Sequence, residues 1–357
     1  MMRLLTLLLF VLAGCAAYLL FLPVPIEPQS WTPPTLDSSR FPLNERLKPA
    51  VRLAENVGNG PEGLAIDSVG NLYAGYDDGR VMRFDSNGEN AKELANTAGR
   101  PLGLALAPNG DIYVADAVRG LLRIAADGSM NVVSVEADGL PFKFVDDVDI
   151  TADGSKAYFS DASSRFGLHD VMADVFEHGP NGRVLEYDIA SGQTRVLMRD
   201  LYFANGVTMG PGDEYLLVND MNKYRVLRHW LRGDKAGTTE VFIDNLPGFP
   251  DNINFNGRDR YWLALYTPRI AALDSTLSQP RLRKILFRLP KALQPAPTMH
   301  AWVLGLDLDG KVVADLQYAN ENAYAPITSA VQHGDQLYLG SLIAPAIGRL
   351  PVPAAAD

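Results

Sequence analysis

The chain has 357 residues, 47% hydrophobic and 21% charged, a balance that excludes disordered, collagen-like and mucin-like classes. Its 32 Lys and Arg face 42 Asp and Glu, a net charge of −10, which disfavours binding to nucleic acid or to an anionic membrane surface by charge and suits a cation better. The single cysteine, Cys15, excludes internal disulfides and cysteine-based zinc sites.

Residues 4–22 carry no charge. As a helix they reach ~28 Å, close to the ~30 Å hydrocarbon core of a bilayer. Arg3 precedes the run, Pro23 follows it, and the next basic residue is Arg40. The positive-inside rule then leaves the N-terminus in the cytoplasm and exports the body. Residues 1–22 are read as a membrane anchor or signal segment. Leu12-Ala13-Gly14-Cys15 also fits a bacterial lipobox, and a cleaved secretory peptide is a third route to the same export. Residues 23–49 hold seven prolines and read as an extended spacer that holds the body off the membrane.

From residue 50 the chain repeats itself six times. Each unit has a short apolar strand, a Gly, Asn or Asp turn, and a second strand with an aromatic residue. The recurring tyrosines are Tyr73, Tyr113, Tyr158, Tyr215, Tyr261 and Tyr338, spaced 40, 45, 57, 46 and 77 residues apart. A period of ~40–50 residues with several short strands marks propeller blades. The two long gaps imply helix-prone insertions at 164–182 and 268–300, the first placed to fold over the channel mouth. The fold class is therefore all-β, a six-bladed β-propeller over residues 50–353. Val51-Arg52-Leu53 is placed to complete the sixth blade and protect its edge.

The first strand of each blade lines the central channel, so residues at the strand starts converge. Across the six units these are Glu62, Leu102, Asp146 (with Asp147), Asn205, Asp251 (with Asn252) and Thr328. Carboxylates gathered there would repel, and a hard cation resolves the conflict. Calcium accepts six to eight oxygens in irregular geometry, whereas zinc would want His or Cys, which these positions lack. Asp116, Asp161 and Asn219 recur at one point in successive units and read as turn residues. The histidines, His169, His178, His229, His300 and His333, form no motif, and no GxSxG elbow is present.

The stretches GPEGLAID, GRVLEYD, LYFANGV, YLLVND, FPDNI and LYLGSL resemble the strictosidine synthase-like branch of the six-bladed calcium propellers. Paraoxonase-type arylesterases and gluconolactonases belong to the same superfamily. The resemblance implies calcium held by Glu62, Asp146, Asn205, Asp251 and Asn252. It also exposes two departures. The paraoxonase histidine of the second blade is replaced within Pro101-Leu102-Gly103, and the synthase glutamate of the sixth blade falls at Thr328. The expected activity is thus a calcium-dependent hydrolase of lactones or aryl esters, exported and membrane-anchored, acting on a small molecule. The membrane is met only through the N-terminal segment. Asp251 and Asp147 are the candidate bases for activating water. An amine–aldehyde condensing enzyme and a non-enzymatic binding propeller with structural calcium remain open alternatives.

Overall fold

The computed structural model describes residues 2–353. Six four-stranded antiparallel sheets form six blades around a channel. Each innermost strand opens its blade: Leu64–Ile66, Pro101–Leu106, Val145–Ile150, Ala204–Met209, Gly248–Phe255 and Ser329–His333. These strands contact one another in sequence, and the first contacts the last. Every recurring tyrosine lies on the second strand of its blade.

The ring closes as expected. Val51–Leu53 is the outer strand of blade 6 and pairs antiparallel with Ile347–Pro351, Arg52 standing opposite Gly348. The core is a set of apolar seams between blades. Leu72, Ala74 and Phe84 of blade 1 meet Tyr338 and Ile347 of blade 6, and Ala105 and Tyr113 of blade 2 meet Val148 and Phe159 of blade 3.

Strand direction decides which loops can reach the site. Connections between the second and third strands emerge at the end where the innermost strands begin, because neighbours run antiparallel. Both insertions leave at that point, in blades 3 and 5. The first carries α2 (Val171–Glu177) and the second carries α3 (Ala271–Asp274) and α4 (Pro280–Phe287), all numbered after the N-terminal helix α1 (Met2–Phe21). Phe176 of α2 packs edge-on against Phe287 of α4, ring centres 5.7 Å apart. The two insertions therefore form one cover.

α1 is long and apolar enough to cross a membrane by length and composition, which makes it a candidate membrane or signal segment. The lipidation question at Cys15 lies outside the described residues. The proline-rich segment after α1 departs from expectation. It is extended, but it does not stand off the body. Ile26 is fully buried among Phe166, Ala173 and Phe176. Gln29 donates its backbone N–H to Glu177 at 2.9 Å and Trp31 to Leu277 at 3.0 Å. Trp31 stacks on His178 at 4.7 Å, and Phe41 and Leu47 are buried further along. The apolar residues between the prolines supply the surface that docks this strap.

Candidate functional site at the propeller hub

The site is built one residue per blade. Glu62, Leu102, Asp146, Asn205, Asp251 and Thr328 all line a single cavity of about 390 Å³ at one end of the channel. All six are buried. Local sequence explains how they fit so near the axis. In blades 2, 3, 4 and 5 the pairing of the innermost strand slips at the site residue, a bulge that turns side chains inward. A glycine follows the site residue where the next blade crowds in. A Cβ on Gly206 would lie 2.6 Å from the Cα of Asn252, and one on Gly103 would lie 2.6 Å from that of Asp147.

Burial pushes the Glu62 carboxyl up to about 7, against the pull of Arg100 and of Asn252, whose amide donates to Oε1 at 3.0 Å. Burial, followed by the charges of Glu62 and Asp147, raises Asp146 well above the carboxylate range. Asp251 rises for the same reason, with Glu62 and Asp146 as its charged neighbours. Glu62 Oε2, Asn205 Oδ1 and Asn252 Oδ1 are buried without a hydrogen-bond partner among the described residues. Oxygens stripped of water and of donors are suited to a hard cation. Among the described residues no three His, Cys, Asp or Glu side chains are gathered tightly enough to hold a metal as they stand. Two of the five oxygen donors, Asn205 and Asn252, are amides.

The structure separates Asp147 from this group. Its side chain lines a second cavity, of about 410 Å³, that opens along the other side of the channel floor. One carboxylate oxygen accepts from the Val148 N–H and the other from the Val207 N–H, both at 2.9 Å. Asp146 lines the hub pocket and Asp147 the second cavity, on either side of the bulge in blade 3. Asp147 is therefore corrected from a candidate base to a brace between blades 3 and 4. Asn252 borders that second cavity while its amide reaches Glu62.

Thr328 donates its hydroxyl to the backbone carbonyl of Glu62 at 2.9 Å. It braces Glu62 and offers no acid. No histidine lines the pocket. His178 is buried beneath Trp31, and burial pushes its pKa down to about 2. Asp116 and Asp161 bind backbone N–H groups, as turn residues do. Asn219 does more, since its amide donates to the backbone carbonyl of Asp251 and fixes that residue's place.

Sequence reasoning missed the pocket walls. Leu168, Val171 and Val175 of the blade-3 insertion and Ile270 and Leu273 of the blade-5 insertion roof the cavity. Phe144 and Phe203 meet edge-on at 5.5 Å, and Phe203 holds a left-handed φ of 64°. Tyr266 also faces the pocket, and burial, then the Asp251 charge, keeps its hydroxyl protonated. The roof residues of the two insertions carry no motif, because they lie outside the repeat, whereas Phe203 sits in the LYFANGV stretch.

Comparison with known proteins agrees with this architecture. Residues 146–234 match the strictosidine synthase family, and residues 40–84 match the strictosidine synthase-like N-terminal family. The chain is 38% identical to strictosidine synthase-like protein 6 of Arabidopsis thaliana, over 84% of this chain and 81% of that protein. It is 33% identical to the adipocyte plasma membrane-associated protein of Salmo salar, over 93% of this chain and 85% of that protein. Among solved structures, a gluconolactonase from Xanthomonas campestris superposes with a TM-score of 0.61 at 17% identity, covering 93% of this chain and 99% of that one. A calcium-binding regucalcin from Agrobacterium tumefaciens superposes with a TM-score of 0.58 at 15% identity, covering 84% and 92%. At such identities the two structures establish the fold alone. The relatives establish more: the chain belongs to the strictosidine synthase-like family of six-bladed propellers.

Proposed function

We propose that the protein hydrolyses lactones or aryl esters with a calcium ion at the hub. The observation that carries this reading is the pocket floor, where Glu62, Asp146 and Asp251 lie buried together beside two amides with orphaned oxygens. Glu62, Asp146, Asn205, Asp251 and Asn252 are the residues that would hold the ion. Calcium, when bound, supplies Lewis-acid polarisation of a carbonyl oxygen. The gluconolactonase and the calcium-binding regucalcin that share this fold make a lactone and calcium the first ligands to test.

The remaining work falls to the chain. The apolar roof holds the acyl or aryl part and excludes bulk water. Asp251, on the pocket floor beside the ion, is positioned to accept a proton from the attacking water. The Tyr266 hydroxyl, kept protonated near Asp251, can donate to an oxygen of the substrate. α1 anchors the enzyme, with the propeller on the non-cytoplasmic side because Arg3 precedes the apolar run.

The test is a panel of lactones and aryl esters assayed with full-length protein in calcium. Asp251→Ala and Glu62→Gln are each expected to lower kcat/KM by about a hundredfold or more, the scale of a lost acid–base group. Activity that survives both substitutions would sink the hub mechanism. Inactivity across the panel, with calcium still bound, would assign the propeller a binding role instead.

A further inference from the structure

The blade-5 insertion carries a charge unlike the rest of the molecule. Residues 275–306 contain Arg281, Arg283, Lys284, Arg288 and Lys291 and no Asp or Glu, in a chain of net charge −10. Arg283 is buried, but the other four reach the surface, and Arg281 and Lys291 are exposed. Leu293 is 67% exposed on the same stretch. A basic surface with a projecting apolar side chain has the composition of a segment that lies in a membrane interface.

A second observation fixes where this surface stands. Arg288 donates through Nε to the Leu22 carbonyl at 2.7 Å and through Nη1 to the Leu19 carbonyl at 2.8 Å. In return, the Tyr18 hydroxyl donates to the Arg288 carbonyl at 3.1 Å. Arg288 thus caps the last turn of α1, the helix that is apolar enough to cross a bilayer. Tyr18 lies about 5 Å along the axis from the end of that helix, at the depth where interfacial aromatic residues gather. Tyr18, Arg288 and Lys291 line one cavity of about 700 Å³. Met172, Pro295 and Pro297 belong both to that cavity and to the hub pocket.

We infer that the blade-5 insertion rests on an anionic bilayer surface. Arg281 and Lys291 face phosphate and carboxylate headgroups and Leu293 dips between them, while Lys284 is paired with Glu27 at 2.9 Å and Arg288 is held by the end of α1. Charge complementarity selects this occupant, because a basic insertion on a chain of net charge −10 is the part that an anionic surface attracts. Membrane contact then extends beyond the N-terminal segment. The mouth of the hub pocket comes to lie at the membrane–water boundary, where, on the hydrolase reading, apolar esters concentrate.

The test uses the full chain in nanodiscs and reads no activity, so its failure leaves the hydrolase reading intact. In a Cys15→Ala background, Leu293→Cys is labelled with bimane and quenched by lipids brominated on their acyl chains. Val69→Cys, in a blade-1 turn at the opposite end of the channel, is the control. Quenching at 293 should be at least about twofold stronger in phosphatidylserine-rich discs than in phosphatidylcholine discs. It should be absent at 69, and Arg281→Glu with Lys291→Glu should abolish the difference. Hydrogen exchange over residues 284–297 of the unsubstituted protein should show matching protection by the anionic discs. Equal quenching in both lipids, or none at 293, would overturn the inference, as would persistence of the difference in the charge-reversed protein.

Discussion

Burying a carboxylate costs several kcal/mol unless something compensates it, and the hub buries Glu62, Asp146 and Asp251 together. Asp147, one residue from Asp146, is compensated differently, by two backbone donors. The contrast yields a paired prediction. Asp147→Ala leaves the Val148 and Val207 N–H groups unpaired and should destabilise the protein by about 1–3 kcal/mol, yet leave calcium binding in place. Glu62→Gln should do the reverse, with the metal-free melting temperature held or raised and calcium binding lost. Melting curves of both variants, with calcium and with chelator, check this. At this scale the sequence was informative wherever the repeat spoke. A side-chain oxygen donor could be aligned in five of the six blades, Leu102 being the exception, because the repeat marks where each innermost strand begins. What could not be read was which member of the Asp146-Asp147 pair faces the pocket, because that depends on a bulge in the pairing of blade 3.

At the level of elements, the cover depends on a few buried polar groups. Arg283 is fully buried and donates through Nη1 to the Phe176 carbonyl at 2.9 Å and through Nη2 to Gln29 and Leu277. One guanidinium thus joins the strap, α2 and α4. Arg283→Lys keeps the charge but loses the planar fork, and should destabilise by about 3 kcal/mol or more. Faster proteolysis at residues 23–36 and 270–297 would be the accompanying sign. Asp174 of α2 gives a pH dependence. Burial pushes its carboxyl up to about 7, although Ser163 and Asn181 donate to it. An unfolded aspartate titrates near 4. Between those values the folded state alone holds the proton, so this stabilisation is full below about pH 4 and is lost as pH rises through about 7. The slope is at most about 1.4 kcal/mol per pH unit. The melting temperature should fall from pH 5 to pH 8, and Asp174→Asn should remove much of that fall; an unchanged slope would refute the assignment. Both insertions were visible in the sequence as long gaps between tyrosines. Their joint role was not, because the contact of Phe176 with Phe287 spans two blades. The strap was misjudged for a related reason. Prolines reported its extended backbone, while Ile26 and Trp31, which dock it, carry no periodicity.

For the whole molecule, closure and capping belong to one design. The N-terminal strand completes blade 6, and the strap that precedes it crosses the insertions that roof the hub, so α1, cover and ring are continuous in the chain. The number of blades and the closing strand were legible because turn spacing and strand alternation repeat across 300 residues. The interaction of the body with α1 was not, since it rests on Arg288 meeting the end of that helix. Completion of the hub by a cation, as proposed, is measured most directly by thermal unfolding of the full-length protein in calcium and in chelator. A ligand at a hundred times its dissociation constant stabilises by about 2.7 kcal/mol. The account predicts a melting temperature several degrees higher in calcium, abolished by Asp251→Asn; identical melting in calcium and in chelator would contradict it.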